Sequence, residues 1–228
     1  EIGSGLVGSE MCIRDSIWGL QFDRFLTEDD FNADGSLKAG LPDQTKVFPA
    51  GYQFAPGDVL YKDLDNNGEI VKQTNTNDKG DLSVIGNALP RLQFGLNLDA
   101  AWKGFDISMF FQGVAKRKLW AAGNQVLPGF TTGEPFYKGA EDYWTPENTD
   151  AFYPRPMDYK QSASGNYSVN DRYLLNMAYL RLKTFTVGYS LPKVWLSKFK
   201  VQGLRVYFTG ENLFTIDGVK PAIDPEIG

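Results

Sequence analysis

The stretch RLQFGLNLDAAWKGFDISMFFQ, residues Arg91–Gln112, decides the fold class of this chain. In its first half, apolar residues occupy every second position, and the positions between them are polar or small. The apolar positions are Leu92, Phe94, Leu96, Leu98, Ala100 and Trp102. A period of two places successive side chains on opposite faces of a β-strand, whereas a helix would need a period of about 3.6. The pattern therefore predicts a strand with one apolar and one polar face.

The alternation resumes after Lys103-Gly104, so the two runs predict a β-hairpin with its turn at these residues. The apolar residues of the second run are Phe105, Ile107, Met109 and Phe111. Each half has about the 9 to 11 residues of a membrane-crossing β-strand. A soluble sandwich would cover the apolar face with a second sheet. An outer-membrane barrel would turn that face to lipid and the polar face to its lumen.

The composition excludes several classes of function. The 28 acidic and 23 basic residues give a net charge of −5, so no basic field is available to bind nucleic acid. A single cysteine, Cys12, cannot form an intrachain disulfide. Because the chain has no histidine, it cannot build the usual metal triads or Ser-His and Cys-His nucleophiles. Most hydrolase chemistry is therefore excluded.

Residues 1–16 contain the sequence SEMCIRDS and show no sustained period. We interpret them as a sequence-assembly artefact, because this segment looks like translated adapter sequence that recurs at the ends of unrelated predicted proteins. The alternative is an ordinary disordered terminus, and Cys12 has no function under either interpretation. No basic region followed by an apolar core marks a signal peptide, and no apolar run approaches the roughly 20 residues of a transmembrane helix.

The stretch from Gly57 to Ile70, GDVLYKDLDNNGEI, carries the most specific chemical pattern. Asp63, Asp65 and Asn67 fall at the first, third and fifth positions of a calcium-loop pattern, and Gly68 follows at the tight turn. The pattern admits a weak Ca²⁺ site or an Asx-type turn whose side chains bond their own backbone.

The closing acid of this calcium pattern is missing. Thr74 stands where an EF-hand would place its bidentate Glu, so Glu69, Asp78 or Asp81 would have to complete the site. The candidate ligands are Asp63, Asp65, Asn67 and Glu69, and calcium is the only cofactor that we consider.

Four motifs follow one another along the chain: GDVLYKDLDNNGEI, VIGNALPRLQFGLNLDAAWKGFDISMFFQG, YLRLKTFTVGYSLP and LRVYFTGENLFTI. In this order they resemble the C-terminal barrel region of SusC/RagA-type TonB-dependent outer-membrane transporters. The resemblance covers most of the chain after about Ile17. It implies an all-β fold, an antiparallel meander of transmembrane β-barrel strands with long extracellular loops that forms only part of a barrel.

The alternation patterns place the elements within this fold. Residues 17–90 are expected to form an extracellular loop region with the Asp/Asn-rich turn, and residues 91–228 the barrel region. Strands are expected at about 91–102, 104–118, 173–190 and 203–215, with a long outer loop at 119–172. Leu180 and Leu182 differ in parity from Phe185 and Val187, so we predict a β-bulge near Lys183-Thr184.

The resemblance also implies a function and a location. The whole protein would import oligosaccharides, peptides or other large nutrients across the outer membrane, using energy from the TonB system and a SusD-like surface lipoprotein as partner. Its barrel would contact outer-membrane lipid. The plug, the TonB box, the signal peptide and the last strand of such a transporter are expected to lie outside this sequence.

The loop at 119–172 is unusually long and rich in aromatic residues, and such loops are usually functional. We expect Trp120, Tyr143, Trp144 and Tyr153 to contact substrate or the capping partner. The alternative is that these rings form a small core within the loop.

Two other function classes stay open. A soluble secreted β-sandwich that binds carbohydrate would share the strand pattern. A glycosidase needs only two carboxylates and no histidine, and the loop offers Glu134, Glu141, Asp142 and Glu147. Because charged loop residues usually only contact water, we expect no catalytic site and favour the transporter.

Overall fold

The computed structural model describes residues 15–72, 79–130, 137–157, 165–197, 201–219 and 223–226. Regular structure in these ranges is almost entirely antiparallel β-strand, which confirms the predicted all-β fold. None of the described helices is long and apolar enough to cross a membrane. The chain divides into two compact units, Glu1–Ala88 with Lys118–Leu175 and Leu89–Arg117 with Asn176–Gly228.

In chain order the strands are β1 (Ser16–Gly19), β2 (Phe22–Phe25), β3 (Val59–Tyr61), β4 (Ser83–Asn87), β5 (Leu92–Trp102), β6 (Phe105–Ala115), β7 (Lys118–Leu119), β8 (Leu175–Asn176), β9 (Tyr179–Ser190) and β10 (Arg205–Asp217). A 3₁₀ turn spans Glu28–Asp30, and a short helix, α1, spans Lys193–Leu196.

The second unit contains a four-stranded sheet in the order β10-β9-β6-β5. Strands β5 and β6 form the predicted hairpin, with Trp102 opposite Phe105. The two turn residues, Lys103 and Gly104, have φ angles of 48° and 90°. Positive φ at both central residues gives the turn a twist that matches the flanking strands.

The register of this sheet collects the apolar side chains on one face. Leu98 lies opposite Met109, which lies opposite Phe185 on the next strand. Many side chains of this face are exposed: Phe94 is 45% exposed, Leu96 49% and Phe208 62%. No second layer of described residues covers them, so the sheet is not half of a sandwich.

The predicted β-bulge is present in β9. Thr184 pairs with Phe110 and Leu182 pairs with Phe111, so Lys183 has no partner residue on β6. This extra residue returns Phe185 to the face that carries Leu182. The bulge therefore keeps the apolar face continuous.

The strand expected at 173–190 is divided into β8 and β9. The side chain of Asn176 accepts a hydrogen bond from the Ala178 amide at 3.4 Å, which competes with a regular ladder at this point. Residues 173–175 lie in the first unit and are buried there.

The first unit contains the paired strands β1–β4 and β2–β3. Its core brings residues 17–90, which were expected to be mainly loop, together with Trp144 and Ala151 of the long loop. The buried members from the earlier segment are Leu20, Phe25, Val47, Phe48, Val59, Tyr61 and Ile70. Two segments that the hairpin separates in sequence thus share one core.

The N-terminal segment that we set aside overlaps this fold at its end. Strand β1 begins at Ser16, and the Asp15 carbonyl accepts a hydrogen bond from the Ala88 amide at 2.9 Å. Residues 1–14, including Cys12, lie outside the described residues.

Candidate functional site

The long loop of the first unit contains a cavity of about 700 Å³. Tyrosines and prolines form most of its lining: Tyr137, Tyr143, Tyr153, Tyr167, Pro128, Pro154 and Pro156. Among the described residues, the charged ones at the cavity are Lys138 and Glu141, which have opposite signs. A cavity of this size, with an aromatic lining and few polar groups, has the general character of a small-molecule site.

Backbone and ring contacts hold the tyrosines in place. Tyr143 and Tyr153 form a parallel β-bridge, with the Trp144 amide donating to the Tyr153 carbonyl at 3.0 Å. The ring of Tyr173 stacks on Tyr153 at 6.1 Å between centroids and meets the edge of Tyr167 at 5.2 Å. Tyr153 and Tyr167 are therefore packed from behind by a buried ring.

A buried carboxylate anchors two sides of the cavity. Asp58, which is fully buried, accepts hydrogen bonds from Arg155 Nε at 2.7 Å and from Asn166 Nδ2 at 3.0 Å. Arg155 lies between Pro154 and Pro156, and Asn166 precedes Tyr167. Because each partner adjoins lining residues, the Asp58 network positions both of these wall segments.

The four residues predicted to contact substrate have different environments. Tyr143 and Tyr153 line the cavity, and Tyr143 is 41% exposed. Trp144 is buried in the core of the first unit, and its ring lies against Gly57. Trp120 is half-buried and does not line the cavity. The structure thus brings two of the four together and adds Tyr137 and Tyr167.

The hydroxyls of the buried tyrosines are held in the neutral form. Burial, and next the Asp142 carboxylate, raise the pKa of Tyr153 above its usual range. Burial also raises the pKa of Tyr167 well above the ordinary value. A neutral hydroxyl can both donate and accept a hydrogen bond.

The Asp/Asn-rich loop forms turns through its own side chains. The Asp63 carboxylate accepts hydrogen bonds from the Asn66 and Gly68 amides, both at 2.7 Å. The Asp65 carboxylate accepts one from the Asn67 amide at 3.1 Å. The Asp65 bond spans two residues and is an Asx turn, whereas the Asp63 bonds reach three and five residues ahead. Both carboxylates thus bond the backbone of their own loop, as the alternative to a metal site predicts.

The same loop brings Asp63, Asp65 and Asp81 together, with carboxylate oxygens within 4.8 Å of one another. Asp81 is fully buried and accepts hydrogen bonds from the Leu64 and Val71 amides at 2.8 and 2.7 Å. Glu69 forms an ion pair with Lys46, and Asp78 lies outside the described residues. The third carboxylate of this cluster is therefore Asp81 and not Glu69. Calcium binding stays a prediction.

Ion pairs cross the polar face of the second unit. Arg205 of β10 pairs with Asp106 of β6 across Gly188 of β9, whose missing side chain leaves room for both groups. Arg181 binds Asp224 at 2.7 Å and Glu226 at 2.8 Å, so the residues after β10 fold back onto this sheet. Polar side chains thus link three strands and the following segment.

The chain resembles known proteins along most of its length, although no family model matches it. It is 33% identical over 177 residues, 75% of this chain, to TonB-dependent receptor P3 of Formosa agariphila. It is 25% identical over 210 residues, 88% of this chain, to TonB-dependent receptor SusC of Bacteroides thetaiotaomicron. Over this part of their length, the chain is similar to TonB-dependent receptors, SusC among them.

The chain spans only a part of the length of these relatives: 16% of receptor P3 and 20% of SusC. Its fold matches the solved structure of the RagAB peptide transporter with a TM-score of 0.59 at 19% identity, covering 93% of this chain and 20% of that one. The RagAB peptide importer in its open-open state gives a TM-score of 0.57. At this identity, the structural match establishes the fold alone.

Sequence reasoning missed the Asp58 network. The structure pairs Arg155 with Asp58, which lies 97 residues earlier in the chain. Asn166 is 108 residues from Asp58. No local period or motif signals a contact over such separations, because each partner is a single polar residue in irregular chain.

Proposed function

We propose that this chain forms wall strands and outer loops of a TonB-dependent importer in the outer membrane. One observation carries the proposal: the four-stranded sheet of the second unit has an exposed apolar face and a polar reverse face. Hydrocarbon lipid suits the first face, and a water-filled lumen suits the second.

The edges of the sheet agree with this proposal. Strands β5 and β10 each have a neighbour on one side only among the described strands, and unpaired strand edges are costly in a membrane. In the complete protein these edges would pair with the remaining strands of a barrel of about 22 strands. The long loop with its tyrosine cavity would face outward, because barrels of this kind keep short turns on the periplasmic side.

The proposed cargo is an oligosaccharide or another large nutrient, and the proposed partners are a SusD-like lipoprotein and TonB. Relatives named as TonB-dependent receptors support the TonB link, and the solved relative is named a peptide importer. The chain itself would act passively, by forming the lumen wall and offering loop residues to cargo and partner.

Neither alternative function gains support from the geometry. A sandwich module would hide the apolar side chains that are exposed here. A glycosidase would need a pair of carboxylates held in place. Asp142 accepts a hydrogen bond from Asn148, and Glu147 is exposed on the same loop. Glu134 lies outside the described residues. No rigid strand end carries a carboxylate pair within the described part of this loop.

Cysteine labelling in the complete receptor, in its own outer membrane, tests the wall assignment. In a background without other cysteines, Leu96→Cys and Leu98→Cys should carry a fluorophore that bromine-labelled lipid quenches. Asn97→Cys and Asp99→Cys, one residue away, should instead be quenched by aqueous iodide. Equal aqueous quenching at all four positions would contradict a membrane wall.

A further inference from the structure

The polar face of the second unit carries a buried arginine that the sheet itself positions. Arg181 of β9 lies opposite Gln112 of β6 and Thr215 of β10. Its Nε donates a hydrogen bond to Thr215 Oγ1 at 2.7 Å, and its guanidinium carbon lies 5.7 Å from the ring centre of Tyr179. These contacts leave the two terminal nitrogens of the guanidinium for other acceptors.

The acceptors of those two nitrogens come from the segment that follows β10. Arg181 Nη1 donates to Glu226 Oε2 at 2.8 Å, and Nη2 donates to Asp224 Oδ1 at 2.7 Å. The Glu226 amide also donates to Asp224 Oδ1, at 3.0 Å, which keeps the two acidic residues close together. Pro225 between them is buried. Residues 223–226, which we call the strap, are thus attached to the polar face through two carboxylates.

The bulge of β9 supplies a second cation to the strap. Lys183 is the extra residue of this bulge, and its Nζ lies 2.6 Å from Glu226 Oε1 and 2.8 Å from Oε2. Bulges are frequent beside functional sites, where they re-aim a side chain. In β9 the bulge adds one ammonium group to the polar face while the apolar face stays continuous.

The two sides of this contact differ in their access to water. The Arg181 side chain is 10% exposed, whereas the side chains of Asp224 and Glu226 are 48% and 28% exposed. A buried guanidinium without a counter-ion is costly, so Arg181 requires an anionic partner. Ion pairs whose carboxylates contact water contribute little net stability, because water and salt screen them. The site on the sheet is therefore fixed, and its present occupant is exchangeable.

We propose that Arg181 and Lys183 form a carboxylate-binding site, which the strap fills as an internal ligand and which a soluble polycarboxylate can take over. The exchange makes and breaks no covalent bond: the strap leaves the sheet, and carboxylates of the incoming anion replace those of Asp224 and Glu226. The planar fork of Arg181 selects carboxylate groups over a monatomic anion. Only the position of this site on the lumen wall rests on the proposed function.

Electron paramagnetic resonance on the complete receptor in detergent tests the release of the strap. In a background without other cysteines, Ile223→Cys carries a spin label beside Asp224, and this label should be immobile. Tricarballylate should mobilise it at concentrations where sodium chloride of equal ionic strength does not. The neutral strap, Asp224→Asn with Glu226→Gln, should raise the ratio of mobile to immobile label about tenfold, because several weak ion pairs are lost together.

Calorimetry on the neutral-strap variant tests the site without its internal ligand. Tricarballylate should bind to this variant, and the additional change Lys183→Gln should weaken the binding about threefold through the loss of one ion pair. Arg205→Gln is the matched control, because Arg205 lies on the same polar face but pairs with Asp106. It should change neither the tricarballylate affinity nor the mobility of the label.

Four results would overturn the proposal. They are a mobile label on the unaltered strap, no added mobility in the neutral strap, equal release by tricarballylate and sodium chloride, and no tricarballylate binding by the neutral-strap variant. The importer proposal would survive any of them, because cysteine labelling of β5 tests it independently.

Discussion

At the scale of single residues, Gly57 shows how one position shapes the first unit. Its φ angle is +91°, and a Cβ there would lie 2.5 Å from the Trp144 ring. A side chain at this position would therefore have two costs, backbone strain and a clash with a buried indole. Only glycine lets the chain pass beneath Trp144 in this conformation.

We predict that Gly57→Ala destabilises the first unit by at least about 2 kcal/mol, measured by urea unfolding in detergent. Gly35→Ala is the control, because Gly35 has a similar φ of +82° but no atom within 4 Å of its added Cβ. That variant should lose only about 1 kcal/mol, the cost of the left-handed backbone. Equal losses would show that the Trp144 contact is unimportant.

Asp30 gives a prediction about pH. The hydrogen bond from Arg24 and the Thr27 amide hold the pKa of Asp30 at about 2, below its usual value of 3.8. Because the folded-state pKa is lowered, the stabilisation is present above about pH 4 and is lost as the pH falls toward 2. The expected loss is about 1 kcal/mol, since the half-exposed Arg24 is screened by water.

Denaturant unfolding at several pH values between about 5 and about 2 would measure that loss. Asp30→Asn should remove this part of the pH dependence. Asp29→Asn, in the same 3₁₀ turn, is the matched control. An unchanged slope in the Asp30 variant would mean that the ion pair with Arg24 does not contribute.

At the scale of elements, the bulge at Lys183 keeps both halves of β9 in phase. Leu182 and Phe185 share a face only because Lys183 has no partner residue on β6. Without Lys183 the strand would alternate regularly through Leu182, Thr184 and Phe185, so its apolar side chains would keep their face. Removing a residue outside the bulge, such as Thr186, would instead move Val187 and Tyr189 to the polar side of the sheet.

We therefore predict that deletion of Thr186 prevents assembly of the complete receptor, seen as loss of the heat-modifiable band in gel electrophoresis, whereas deletion of Lys183 is tolerated. Deletion of Gly203, in the turn before β10 with open space around it, should be tolerated. Lys183→Ala separates the bulge from the ion pair between Lys183 and Glu226, which are 2.6 Å apart. If deletion of Lys183 blocks assembly as completely as deletion of Thr186, while Lys183→Ala does not, the extra residue itself is essential and the prediction is wrong.

At the scale of the whole molecule, the exposed apolar face determines how the chain behaves in water. Side chains such as Trp102, Phe208 and Ile216 are 70%, 62% and 62% exposed, and soluble monomers rarely expose so continuous an apolar surface. The net charge of −5 is too small to offset it. We predict large aggregates in plain buffer and a single small species in detergent, measured by sedimentation velocity. A monomer in plain buffer would instead support the soluble carbohydrate-binding alternative.

The sequence by itself determined the four long strands, the Lys103-Gly104 turn and the bulge at Lys183. These features follow from the period of two and its single interruption, which are local properties of a strand. The reach of the Asp30 carboxylate back to the Thr27 amide, at 2.8 Å, was equally readable, because the two residues are three positions apart.

Only the tertiary structure decided the site in the long loop. It placed Trp144 in a core with residues 17–90, paired Asp58 with Arg155, and collected Tyr137, Tyr143, Tyr153 and Tyr167 around one cavity. These contacts join residues that no regular strand or helix relates to one another. Their positions follow from the packing of irregular chain around a shared core, which leaves no periodic signal in the order of the amino acids.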